Sequence, residues 1–172
     1  MRVFGWFFAL ISLVSPKGHD DFLLVNSKQF TVQGNTSIGG FECHYQRPSK
    51  DTLFINKPGD IVSYSIPVRE FGCGNFMLNH DFRKTLKAKE FPEIHIDFLH
   101  LKRQRNQLFC DVRIQLAGTT KVYKNVLLEK VANEIRGELT LNFSDFKLTP
   151  PKKVGGMVKV KEEIKITLHL QA

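Results

Sequence analysis

The 172-residue sequence holds no apolar run long enough to cross a bilayer as a helix. The longest, Val3 to Val14, gives about twelve residues, or ~18 Å of helix against a ~30 Å hydrocarbon core. The sequence also lacks a Walker-type Gly-rich loop, a G-x-S-x-G elbow and an H-E-x-x-H pair, the local signatures of nucleotide, acyl-transfer and zinc-protease sites. Cysteine is scarce. Cys43, Cys73 and Cys110 have no C-x-x-C spacing and no histidine at metal-ligand spacing, so neither metal nor cofactor is expected. No internal repeat, low-complexity tract or linker divides the chain, and its length suits one domain.

What is present begins with charge. Lys plus Arg number 25 against 17 acids, a net +8. In residues 1–18, Arg2 precedes the apolar run and Pro16 follows it, the proportions of a secretory signal peptide. The folded domain is then 19–172, and loss of Arg2 and Lys17 leaves it about +6. A basic surface permits contact with nucleic acid, acidic glycans or an anionic membrane surface. The bases are dispersed, however: Lys159, Lys161 and Lys165 alternate with apolar residues, and Lys102-Arg103-Gln104-Arg105 sits at an expected turn beside Asn106. Three cysteines in an exported chain allow one disulfide plus a free thiol, or three buried thiols. The pairing expected is Cys43 with Cys73, both early in the domain, leaving Cys110 within an apolar stripe.

The dominant period is two. Val158, Val160, Ile164, Ile166, Leu168 and Leu170 share one face of a long strand, interrupted by Glu162. Ile135, Gly137, Leu139, Leu141 and Phe143 form a second stripe, and Leu108, Cys110, Val112, Ile114 and Leu116 a third. Ile94, Ile96 and Phe98 begin a fourth, in which His95 and His100, an odd number apart, fall on opposite faces. Weaker strands fit 29–33, 38–46, 52–56, 61–68 and 121–131, with turns at Gly34-Asn35, Arg47-Pro48, Lys57–Asp60, Arg105-Asn106, Ala117-Gly118 and Asn133. Closure hides the edges of so many strands best. The fold class expected is all-β: a single antiparallel β-barrel of about eight strands. Residues 79–90 make one short helix, capped by Asn79 or Asp81, stopped by Pro92, with Phe82 and Leu86 covering one barrel end.

Such a barrel holds either filling side chains or one small ligand, and 15 phenylalanines suit both. FECHY at 41–45, GCGNFMLNHDFRKTLKAKEFPEIHIDF at 72–98, IQLAGTTK at 114–121 and LNFSDFKLTPPKKVGGMVKVKEEIKITLHL at 141–170 resemble the YceI-like family. The resemblance runs in order over residues 28–172. It implies a lipocalin-like barrel, a periplasmic or secreted location and non-enzymatic binding of a polyisoprenoid or other long-chain lipid. The helix departs from the family's R-D-x-H-L run with Asn79-His80-Asp81-Phe82, as in a divergent branch. An apolar chain along the barrel axis would meet Phe41, Ile66, Val68, Phe98, Val112, Ile114, Leu139, Leu141 and Phe143. Phe76, Met77, Phe82 and Leu86 would form the mouth, with Lys84, Lys87 and Lys89 as a basic rim. The competing reading is an enzyme or redox protein using a barrel-mouth His or a free Cys. Nucleic acid is disfavoured by export, and the oligomeric state, homodimer included, stays open.

Overall fold

The alternating stripes become strands because period-two hydrophobicity buries one face of each. The computed structural model describes residues 22–105 and 107–172; the expected signal peptide at 1–18 lies outside them. The strands are β1 (Phe22–Thr36), β2 (Gly40–Phe54), β3 (Ile61–Pro67), β4 (Glu93–Gln104), β5 (Gln107–Leu116), β6 (Thr119–Val131), β7 (Glu134–Asn142), β8 (Lys152–Lys153) and β9 (Val158–Gln171), with helix α1 (Phe76–Thr85) after β3. Eight antiparallel strands run β2-β1-β9-β7-β6-β5-β4-β3 around a nearly closed barrel, and short β8 pairs with the start of β9. The stripe Leu108, Cys110, Val112, Ile114 and Leu116 is wholly buried.

Four local expectations change, the first being the turn at Gly34-Asn35, which lies at 37–39 instead because both residues pair with β2. Strands 38–46 and 52–56 are one strand, β2, and Arg47-Pro48 is no turn. A bulge opposite Val25 and Ser27 absorbs the irregularity, and Pro48 is tolerated because β2 ends the sheet, where a missing N–H removes no ladder bond on the open side. In β4 a second bulge lies between Leu99 and Lys102, with His100 at φ 53°. The buried residues after it shift parity from Ile94, Ile96 and Phe98 to Leu101, which puts His95 and His100 both on the outer surface. The helix starts earlier than expected, at Phe76, and its cap is Asn75 rather than Asn79 or Asp81.

The two ends of the sheet, β2 and β3, do not pair along their length. Their seam is held by the segment following β3. His44 and Gly72 exchange two backbone hydrogen bonds of 2.9 Å, and a disulfide joins Cys43 to Cys73 beside them. Arg47 adds an ion pair to Glu70 at 3.0 Å. Inside, the ring of Tyr64 meets Phe30 and Phe98 edge-on, each at 5.9 Å between centroids, an arrangement aromatic quadrupoles favour.

Candidate functional site

Helix α1 is fixed at both ends by side-chain and backbone hydrogen bonds. Asn75 Oδ1 accepts from the Leu78 N–H at 2.9 Å, satisfying one of the orphan donors at the helix start. Asn79, one turn in, accepts from the Cys73 N–H at 2.6 Å and so ties the helix to the disulfide. The helix stops well before Pro92. Lys87 turns left-handed at φ 53°, its N–H donates to the Lys84 carbonyl and the Ala88 N–H to that of Arg83, the paired bonds of a Schellman ending. Phe82 packs on Phe71 at 5.2 Å, and Phe71 on Tyr45 at 5.7 Å, so a chain of rings anchors the helix to β2.

Held this way, α1 lies across one barrel end without filling it. Beneath it is a cavity of about 370 Å³. Its walls come from Leu78 and Phe82 of α1 and Leu86 capping its end, from Phe41 of the β1–β2 hairpin, and from Ile94, Ile114, Val160 and Ile164 at the near ends of β4, β5 and β9. Cys43 contributes its disulfide-bonded side chain, and Phe143 closes one side from the short turn after β7. The polar side chains among the lining residues are Thr36, Asp81 and Thr85. Thr36 is satisfied locally, donating to the Gly39 carbonyl at 2.7 Å.

The cavity is blind. The next inward residue on each strand, Phe30 after Val32, Ile96 after Ile94, Val112 after Ile114 and Leu168 after Ile166, is buried and does not line it. The sequence-derived set therefore divides. Phe41, Phe82, Leu86, Ile114 and Phe143 meet around the cavity. Phe98 and Val112 are buried in the packed half beyond it, while Ile66, Val68 and Leu141 are buried without lining it, Ile66 level with Ile94 and Leu141 with Ile164. Leu139 borders a separate cleft where β6 parts from β7, whose ladder covers only Leu128–Val131 against Glu134–Gly137. Phe76 and Met77 stand exposed on the outer surface of the helix start. Lining residues that period-two reasoning did not single out, among them Ile38, Leu78 and Pro151, lie on a hairpin tip, in α1 and on the irregular segment before β8.

Several side chains that could support other chemistry are occupied or shut away. Cys110 is the free cysteine and is 1% exposed, and burial, with Asp111 adding, pushes its thiol up to about 12. His44 bonds Thr31, His95 lies by Glu93 and His100 by Asp111. Among the described residues no three His, Cys, Asp or Glu side chains gather as a metal site.

Comparison with known proteins adds the relatives. The family model for the YceI-like domain matches residues 22–172. Among solved structures, BcnA of Burkholderia cenocepacia superposes with a TM-score of 0.53 at 16% identity, covering 85% of this chain and 96% of its own. A polyisoprenoid binding domain from Saccharophagus degradans gives 0.55 at 11% identity, covering 88% and 97%. The YceI protein of Campylobacter jejuni gives 0.54 at 14%, covering 70% and 72%. The comparison with curated proteins gives no match.

Proposed function

The chain belongs to the YceI-like family, and from that premise we propose that it is a non-enzymatic carrier of an isoprenoid or similar long-chain lipid, working outside the cytoplasm. The observation that carries the reading is the blind apolar cavity of about 370 Å³ under α1. At ~30 Å³ per small group, that is room for roughly a dozen methylene-sized units. Burying them contributes about 10 kcal/mol gross at ~0.8 per CH₂, before the cost of association. One end of a chain fits; a longer chain continues out past the helix. A head group at the mouth meets Thr36, Asp81 and Thr85 first, with Lys84 and Lys87 exposed farther out. The Saccharophagus domain, described as polyisoprenoid binding, supports the choice of ligand class.

Export is supported by the charged-then-apolar start at 1–18 and by the Cys43–Cys73 disulfide, which an oxidising compartment maintains. The redox reading loses its candidate in Cys110, because the nucleophile is the thiolate and this thiol is buried and protonated. Mass spectrometry of an organic extract of the purified protein tests the carrier reading. A co-purifying apolar chain near one per protein is the expected result. An extract without one, from protein that also takes up no added isoprenoid, contradicts it.

A further inference from the structure

We infer that the rim of the cavity docks on an anionic lipid bilayer, an inference that rests on the carrier reading and extends it to where the ligand is collected. Three segments edge the opening: the β1–β2 hairpin tip, the start of α1 and the lobe between β8 and β9. Each carries a large apolar residue left in water beside a residue that lines the cavity. Ile38 is 79% exposed and is itself a lining residue. Phe76 and Met77 are 85% and 68% exposed next to lining Leu78, and Met157 is 73% exposed next to lining Val158. Two of the segments are fastened together, for Ser37 Oγ donates to the Met157 carbonyl at 3.1 Å and the Ser37 N–H to that of Lys159 at 3.0 Å. The exposed apolar residues thus stand on a braced rim.

Charge selects the occupant. Between Phe146 and Glu162 the sequence has five lysines and no acid. Lys152 and Lys159 are exposed on either side of Met157, and Arg83, Lys84 and Lys87 are exposed on and after α1. Acids on the same segments include Glu42, Asp81, Asp145, Glu162 and Glu163. Glu42 accepts from Gln33, Asp145 from the Asn142 N–H and Glu162 from the Ser144 N–H. Protein–protein interface cores are depleted of lysine, whereas surfaces that sit in the headgroup layer set isolated apolar anchors among lysines. Each lysine near an anionic surface raises partitioning roughly five-fold. Inserted at this rim, the open mouth faces the acyl region, and an apolar chain passes into the cavity without crossing water.

The test is sedimentation with phosphatidylcholine vesicles made with and without phosphatidylglycerol, alongside uptake of soluble farnesol. Wild-type protein is expected on the anionic vesicles and to leave them near 1 M salt, where the Debye length falls to ~3 Å. A Phe76→Ser/Met77→Ser/Met157→Ser variant and a Lys152→Glu/Lys159→Glu variant should each bind vesicles at least ten-fold less, with farnesol uptake unchanged. Equal vesicle binding by the variants overturns the inference, as does no binding by the wild type. A solution dimer that the serine variant abolishes, without vesicle binding, overturns it in favour of a self-association face. Vesicle binding without farnesol uptake keeps the docking surface and removes the carrier reading.

Discussion

Gly34 and Phe41 face one another across the β1–β2 ladder, and the Phe41 ring occupies the place where a side chain on Gly34 would stand. A Cβ there would collide with Cε1 and Cζ of that ring. The bare backbone lets the ring lie against the sheet while its other side walls the cavity.

Gly34→Ala should therefore act opposite to the usual trend. In an ordinary strand, alanine is worth roughly 0.5–1 kcal/mol over glycine. Here the displaced ring should turn that into a loss of ~1–3 kcal/mol by overpacking. Urea unfolding measures it, and a stabilised variant would show that the ring does not rest on Gly34.

The disulfide is the next point of leverage. It closes 30 residues of chain and lies beside the His44–Gly72 backbone bridge, which ties β2 to the segment following β3. Replacing both Cys43 and Cys73 with alanine should cost ~3–4 kcal/mol by the loop-entropy relation. A thiol titration of the denatured, unreduced protein should find a single thiol, Cys110.

Much of the barrel could be read directly. The stripe from Leu108 to Leu116 and that from Val158 to Leu170 declare strands because every second residue must leave water. The helix start could not be read that way: Phe76, Met77 and Leu78 are apolar yet exposed, so hydrophobic periodicity marks only the later, covering part at Phe82 and Leu86. Pro48 resembles a turn residue until β2 is known to be the sheet's end. The cavity was half legible for a related reason. Alternation says that Ile114 and Leu108 both point inward, but which one meets space depends on how far each lies from α1, and no local pattern encodes that.

Acid should loosen the barrel through two carboxylates on its outer face. Burial disfavours ionised Asp97, but hydrogen bonds from Ser63 and from Arg113, at 2.8 Å, outweigh it and hold the group below the usual range. For Asp111 the Lys124 ammonium at 2.9 Å and the Asn125 N–H at 3.0 Å do the same. Both are depressed in the folded state, so their stabilisation is complete above the unfolded value near ~4 and is lost as pH falls through the folded values. Unfolding free energies measured between neutral and strongly acidic pH should decline below about 4. Asp97→Asn and Asp111→Asn should each be less stable at neutral pH and show a shallower acid decline; an identical decline would contradict the assignment.

Export predicts a shortened chain. The intact mass of protein recovered from the extracytoplasmic fraction should correspond to a start between about residues 15 and 22. Retention of Met1 would contradict it.

The central claim is that the barrel is open at the α1 end and solid beyond it, and paired tryptophan substitutions measured by farnesol titration test it most directly. Ile114 lines the cavity and Leu108, three inward positions farther along β5 and also buried, does not. Ile114→Trp should stay folded and lose farnesol affinity at least ten-fold, because the indole takes the ligand's place. Leu108→Trp should instead lose ~1–3 kcal/mol of stability by overpacking, with binding kept in the folded fraction. Wild-type affinity in the Ile114→Trp protein would contradict the account.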